Sequence, residues 1–259
     1  MQPRWRPIAA LLSATSGSLV LLYLGAVRTG WGQRVDNAAV VRHNLDRLAD
    51  QDVSNASHAI LAAALVLFPV VLVVGLRERL RLGLVLAGAL GAVGVAKAAQ
   101  DVLPRPELLS FNPLYSASYP SGHAAGAMSL ALGLTLLGPG RRWTRWVATL
   151  VPALVASLAL DMPIHRPSDV LAGFLIALAA VGTVALLWPA AGPPEPAPPW
   201  EPVARITAIG VVLLGVELVV LRPSHLGLGQ LGPAFLLATA AIPVAAELVV
   251  TGFTRLRSP

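Results

Sequence analysis

Eight apolar runs divide the chain, at residues 7–27, 58–75, 83–100, 121–138, 146–162, 167–188, 203–221 and 231–252. Each approaches the roughly 20 residues that a helix needs to cross the hydrocarbon of a bilayer. Between them lie short charged turns or clusters of proline and glycine, which end helices. The pattern predicts an all-α, polytopic transmembrane helical bundle. The first run follows Arg4 and Arg6, as a signal peptide would. It is longer than an h-region of about 7 to 15 residues and has no Ala-x-Ala site after it, so the expectation is an uncleaved first span.

Two stretches break the pattern. Residues 28–56 are polar and mix Arg28, Arg34, Arg42 and Arg47 with Asp36, Asp46, Asp50 and Asp52. Apolar positions from Val35 to Leu48 recur at near-helical spacing, which fits a helix lying along the membrane surface; a solvated loop fits equally well. Residues 189–202 contain Pro193-Pro194-Glu195-Pro196-Ala197-Pro198-Pro199 and cannot continue a helix. They predict a stiff linker that divides the chain into a six-span domain at 1–188, the linker at 189–202 and a two-span hairpin at 203–259.

Composition agrees with this reading. The 259 residues are 56% hydrophobic and 12% charged, with a mean hydropathy of +0.71. Soluble chains are about 25% charged. The net charge of +6 comes from arginines in short loops without a basic-aromatic patch, so it argues for orientation in a membrane and against nucleic acid. With eight spans both termini share one side. Arg4 and Arg6, the connector at 77–81, the loop at 141–145 and the tail with Arg255 and Arg257 all fall there, which makes it the cytoplasm by the positive-inside bias. The expected location is the cell membrane, with the loops at 101–120 and 163–166 facing outward together. The six tryptophans sit near span ends and read as interfacial anchors. Cysteine is absent, so neither disulfides nor thiolate metal sites contribute.

Those outward loops carry the candidate chemistry. Tyr119-Pro120-Ser121-Gly122-His123 and His165-Arg166-Pro167-Ser168-Asp169 each place a histidine where a loop becomes an apolar run. A helix start leaves backbone N–H groups unpaired and carries the positive end of the macrodipole, which suits an anion such as phosphate. A histidine beside that anion can act as nucleophile or as proton donor, because its ordinary pKa is about 6.5. Pro-Ser-Asp before an apolar run is also an ordinary helix start, in which Asp169 would merely cap N–H groups.

At these residues the chain resembles the type 2 phosphatidic acid phosphatase superfamily, over roughly residues 57–188. The family pattern is Lys-x6-Arg-Pro, Pro-Ser-Gly-His, then Ser-Arg-x5-His-x3-Asp. The second part is intact as Pro120-Ser121-Gly122-His123, and the third keeps His165 and Asp169. The first has one residue too many between Lys97 and Arg105-Pro106, and the Ser-Arg of the third is replaced by Leu158 and Ala159. The resemblance implies a six-helix core with catalytic His165, His123 and Asp169. His165 would attack phosphorus, Asp169 would hydrogen-bond the other ring nitrogen of His165, and His123 would protonate the leaving group. Lys97, Arg105, Ser121 and Gly122 would hold the phosphate oxygens. Arg166 is the candidate for the missing arginine; the competing expectation is that it snorkels to lipid headgroups. No metal and no cofactor are implied.

The resulting expectation is metal-independent hydrolysis of a lipid phosphate or diphosphate, of isoprenoid or phosphatidic acid type, through a phosphohistidine on the outer face. Its partners would be that substrate and the surrounding membrane lipids. The alternative is a catalytically weakened lipid-phosphate-binding protein of the same fold. A transporter ranks last, because no inverted repeat or broken-helix pair is evident. Glu217 and Glu247, within apolar runs, are expected to make structural hydrogen bonds.

Overall fold

A computed structural model describes residues 5–39, 67–76, 78–109, 119–138, 141–161, 165–187, 198–220 and 233–256. Among these residues the only regular secondary structure is helical. Helix α1 runs Trp5–Leu22 and continues as a π turn over Tyr23–Val27. Then follow α2 (Gly30–Ala38), α3 (67–75), α4 (Arg79–Val102), α5 (Gly122–Leu137) and α6 (Arg142–Asp161). Helices α7 (Pro167–Leu186), α8 (Glu201–Val220) and α9 (Pro233–Leu256) complete it. Arg6–Val27, Arg79–Val102, Arg142–Leu160, Pro167–Leu186 and Leu236–Arg255 are long and apolar enough to span a membrane, and Gly122–Leu137 is a shorter apolar helix.

The described helices coincide with the eight apolar runs, with α2 added between the first two. The first part of the run at 58–75, most of the expected surface helix and most of the linker lie outside the described residues. Within the described part a helix runs Gly30–Ala38, earlier than the expected start at Val35. Its boundary follows from Thr29, an extended N-cap whose Oγ1 accepts from the Gly32 N–H at 2.9 Å.

Helix α5 is the axis of the bundle. It is apolar on all faces and packs against α4, α6 and α7, with Ala124, Met128, Leu132 and Leu136 buried. A helix without a polar face belongs in an interior. Helix α7 lies between α5 and α1, and one main apolar core runs through α3 to α9. The outer surface carries Leu21, Leu80, Leu90, Val102, Leu237 and Leu248, all exposed. That surface suits lipid, and the chain is a membrane protein.

The C-terminal helices join the core through a polar clamp. Arg205 on α8 donates Nε and Nη2 to Glu247 on α9 at 2.9 and 2.8 Å, and Nη1 to Glu201 at 2.6 Å. Glu247 also accepts from Thr149 on α6 at 2.9 Å and from Thr251 at 2.6 Å. All three charged groups are buried, so desolvation is offset by a bidentate pair with few unmet lone pairs. Glu247 is therefore a structural hydrogen-bonding group, as expected; the Glu217 side chain lies outside the described residues. The Trp146 ring lies 5.7 Å from the Arg205 guanidinium carbon and adds a cation–π contact to the clamp. Glu201 begins α8 inside the stretch expected to be linker.

Candidate active site

The N-terminal ends of α5 and α7 meet at the end of the bundle opposite the Arg205 clamp, since Thr149 lies early in α6 and His165 follows its end. Ser121 is the extended N-cap of α5, and its Oγ accepts from the Ala124 N–H at 3.3 Å. Its own N–H donates to the Asp169 carbonyl at 2.8 Å, which locks the two helix starts together. Gly173 permits that approach. A Cβ there would meet the Ser121 carbonyl oxygen at 2.6 Å, Ala124 Cβ at 2.9 Å and Ala125 N at 3.0 Å.

This junction brings the two histidines together. The His123 and His165 ring centroids are 5.7 Å apart at an interplanar angle of 87°. His123 is exposed and His165 is 4% exposed. Both ring nitrogens of His165 are buried without a hydrogen-bond partner among the described residues. Burial first, then the charges of His123 and Arg166, holds its pKa down at about 4, so the imidazole is neutral at physiological pH. Buried polar atoms are nearly always paired, so two empty nitrogens on one ring call for a reactive or ligand-binding explanation.

The expected hydrogen bond from His165 to Asp169 is not present. Spacing of i, i+4 brings side chains together only when both residues are helical, and α7 begins at Pro167. Arg166 is its N-cap with φ −121° and ψ 162°, so His165 precedes the helix on extended chain. Asp169, at the third helical position, instead turns Oδ2 back to the Arg166 N–H at 2.9 Å. Its Oδ1 accepts from Arg105 Nη2 at 3.2 Å. The ordinary helix-start reading of Asp169 is correct, and a second role as anchor of Arg105 is added.

Arg105 lies in the loop after α4 with its side chain fully buried. Nη2 carries all its described bonds, to Asp36 Oδ2 at 2.8 Å, Ser168 Oγ at 2.9 Å and Asp169. Nε and Nη1 are buried and unpartnered. Arg166 is fully buried, which excludes the headgroup-snorkelling expectation, and its Nε donates to Asn37 Oδ1 at 2.6 Å. Burial, then the Arg105 charge, lowers its pKa to about 10 against the pull of Asp169 and Asp36, leaving it charged at neutral pH. Lys97 is exposed and donates to Gln100 Oε1 at 3.3 Å. Gln100 in turn donates to the Pro120 carbonyl at 2.8 Å, so Lys97 borders the Pro120-Ser121-Gly122 turn without a described contact to the arginines. At Gly122 the space a Cβ would take is open.

Sequence reasoning missed the contribution of α2. Asp36 accepts from the Ser168 N–H at 3.0 Å and from Ser168 Oγ at 2.6 Å, besides Arg105. Burial and the Asp169 charge push its pKa up, with Arg105 and Ser168 opposing. Gln33 donates to the carbonyls of Val27 at 2.8 Å and Pro106 at 2.6 Å, while Tyr23 Oη donates to the Pro104 carbonyl at 3.2 Å. The N-terminal segment thus holds the Arg105 loop on both sides.

Residues 78–192 match the family model of the PAP2 superfamily, a later start than the expected 57. No curated protein and no solved structure gives a significant match. Members of this superfamily are generally phosphatases that act on phosphate esters. The matched segment, which contains the histidine pair, Arg105 and Asp169, is similar to the PAP2 superfamily.

Proposed function

We propose that the chain hydrolyses a lipid phosphate or diphosphate, of isoprenoid or phosphatidic acid type, without a metal, by way of a phosphohistidine on His165. The observation that carries this reading is the buried, neutral imidazole with two empty nitrogens set against a second histidine at two helix N-termini. A neutral ring offers the lone pair that a nucleophile needs. One His165 nitrogen bonds to phosphorus as the phosphorus–oxygen bond to the leaving group breaks, and protonated His123 gives that oxygen a proton. Water then gives a proton to the now neutral His123 and attacks phosphorus as the nitrogen–phosphorus bond breaks, so that orthophosphate departs, His165 regains its lone pair and His123 is protonated again.

Charge on the nonbridging oxygens needs donors, and three N–H bonds of Arg105, one on Nε and two on Nη1, are buried and uncommitted. Arg166 brings a second guanidinium close enough to depress the His165 pKa, which supports its assignment in place of the missing family arginine. Ser121 and Gly122 supply the helix start, and Lys97 supplies charge at the rim. Asp169 serves as anchor of Arg105 and of the α7 start. The positive-inside bias of the loops supports a cell-membrane protein with cytoplasmic termini and an outward site.

The test is phosphate release by detergent-solubilised protein from a panel of isoprenoid and glycerolipid phosphates with a chelator present. Release by wild type and none by His165→Ala supports the reading. Tight lipid-phosphate binding without release favours the weakened binding protein, and neither binding nor release overturns both.

A further inference from the structure

Helix α2 lies outside residues 78–192, yet it touches both arginines of the site. We propose that Asp36 and Asn37 are positioning residues that orient the phosphate-binding guanidinium groups, Asp36 through Arg105 and Asn37 through Arg166. The inference rests on the reading of this site as a phosphoryl site.

A guanidinium is planar, so a bond at Nη2 together with the fixed side-chain stem sets the directions of all its other N–H bonds. Asp36 Oδ2 makes the shortest described contact with Arg105 Nη2, at 2.8 Å. It draws on one terminal nitrogen and leaves Nε and Nη1 uncommitted. Asp36 is itself fixed by the Ser168 N–H and Oγ on the first turn of α7. The Arg105 guanidinium is thereby referenced to the same helix start that follows His165. Asn37, the next residue along α2, takes Arg166 Nε at 2.6 Å. Adjacent helical residues diverge by about 100°, so two neighbours can hold two cations apart while Gln33, one turn earlier, fixes the Pro106 carbonyl.

Charge gives the same answer. Arg105 and Arg166 are buried beside Asp36 and Asp169, two cations against two anions. Without Asp36 a buried positive charge would be left over, and the Arg105 side chain would lose its closest counter-ion. The opposite face of α2 exposes Trp31, Arg34 and Val35, so α2 meets its surroundings on one side and grips the arginines with the other.

The experiment measures orthophosphate binding by calorimetry in detergent for the full chain, with lipid phosphate turnover alongside. Partners that orient a ligating group typically contribute about 10- to 100-fold. Asp36→Ala and Asn37→Ala should each weaken orthophosphate binding within that range, and Asp36→Glu should recover part of the loss. In an Arg105→Ala background, Asp36→Ala should change binding by less than about 2-fold, because a residue acting through Arg105 has nothing left to orient. A merely structural Asp36 would lower the folded fraction while leaving the affinity of the folded protein unchanged, and would do so in both backgrounds. If Asp36→Ala does not fold, Asp36→Asn and Asn37→Ala carry the same comparison. Wild-type affinity in the folded variants overturns the positioning role alone. Wild type that neither binds orthophosphate nor releases it overturns the phosphatase reading, and the positioning role with it.

Discussion

Replacing Gly173 by alanine asks whether the joint between α5 and α7 sets the geometry of the histidine pair. The added methyl carbon would lie 2.6 Å from the Ser121 carbonyl oxygen, whereas ordinary contact begins at 3.4 Å. The shortfall is about 0.8 Å, and two of the three nearest atoms are backbone, the third a Cβ fixed to it, so none can swing away. The helices must separate, stretching the 2.8 Å bond from the Ser121 N–H to the Asp169 carbonyl. Overpacking of this kind costs about 1 to 3 kcal/mol. Alanine returns up to about 1 kcal/mol over glycine as a helix former, so a net loss of up to about 2 kcal/mol remains when that gain is realised in full. Misplacement by 1 Å costs about 100-fold in rate, and phosphate release should fall by about 10- to 100-fold. Gly182 on the same helix is the control, because its nearest neighbours are the flexible ends of Leu12 and Leu11 at 3.3 and 3.9 Å. Gly182→Ala should be neutral or slightly stabilising. The assays are thermal unfolding in detergent and initial rates on one lipid phosphate. Wild-type behaviour of Gly173→Ala, or equal damage from Gly182→Ala, would refute the argument.

Three further outcomes follow from the same geometry. The His165 pKa of about 4 lies below the ordinary 6.5, so the folded chain keeps neutral a ring that the unfolded chain protonates. Its stabilisation is full above pH 6.5 and is lost as pH falls toward 4; denaturant unfolding should show about 2 kcal/mol lost between pH 7 and 5, and a shallower slope in His165→Gln. Arg105→Ala and Arg166→Ala should each lower phosphate release by about 100- to 1000-fold, and wild-type turnover in Arg166→Ala would remove it from the site. Glu247→Ala breaks the clamp on Arg205 and should cost about 3 to 5 kcal/mol in unfolding free energy, leaving the KM of the remaining folded enzyme unchanged.

The bundle was legible because lipid rewards long apolar runs whatever their partners, and the helix starts at Ser121 and Pro167 were legible because capping is local. The histidine pair could be expected because each half sits in a short motif. The expected hydrogen bond between His165 and Asp169 fails because His165 stands before the N-cap of α7, where helical spacing no longer applies. Asp36, Asn37 and Gln33 escaped notice for a different reason. The stretch was read for its apolar positions, as a surface helix or a solvated loop, whereas α2 exposes Trp31 and Val35 and buries the polar Gln33 and Asp36. Arg205 was not singled out, because its partner Glu247 lies 42 positions later, a separation that no local pattern encodes.

The grip of α2 on the arginines bears on how small a working piece of the chain can be. A fragment cut to begin at residue 57 or 78 would retain every motif residue, His123 and His165 included, while discarding Asp36, Asn37 and the Gln33 tie to Pro106. Such a fragment would enclose two guanidinium groups with half of their counter-charge missing. A dissection that respects the motif-bearing segments alone therefore cuts away the helix whose Asp36 and Asn37 bond to Arg105 and Arg166.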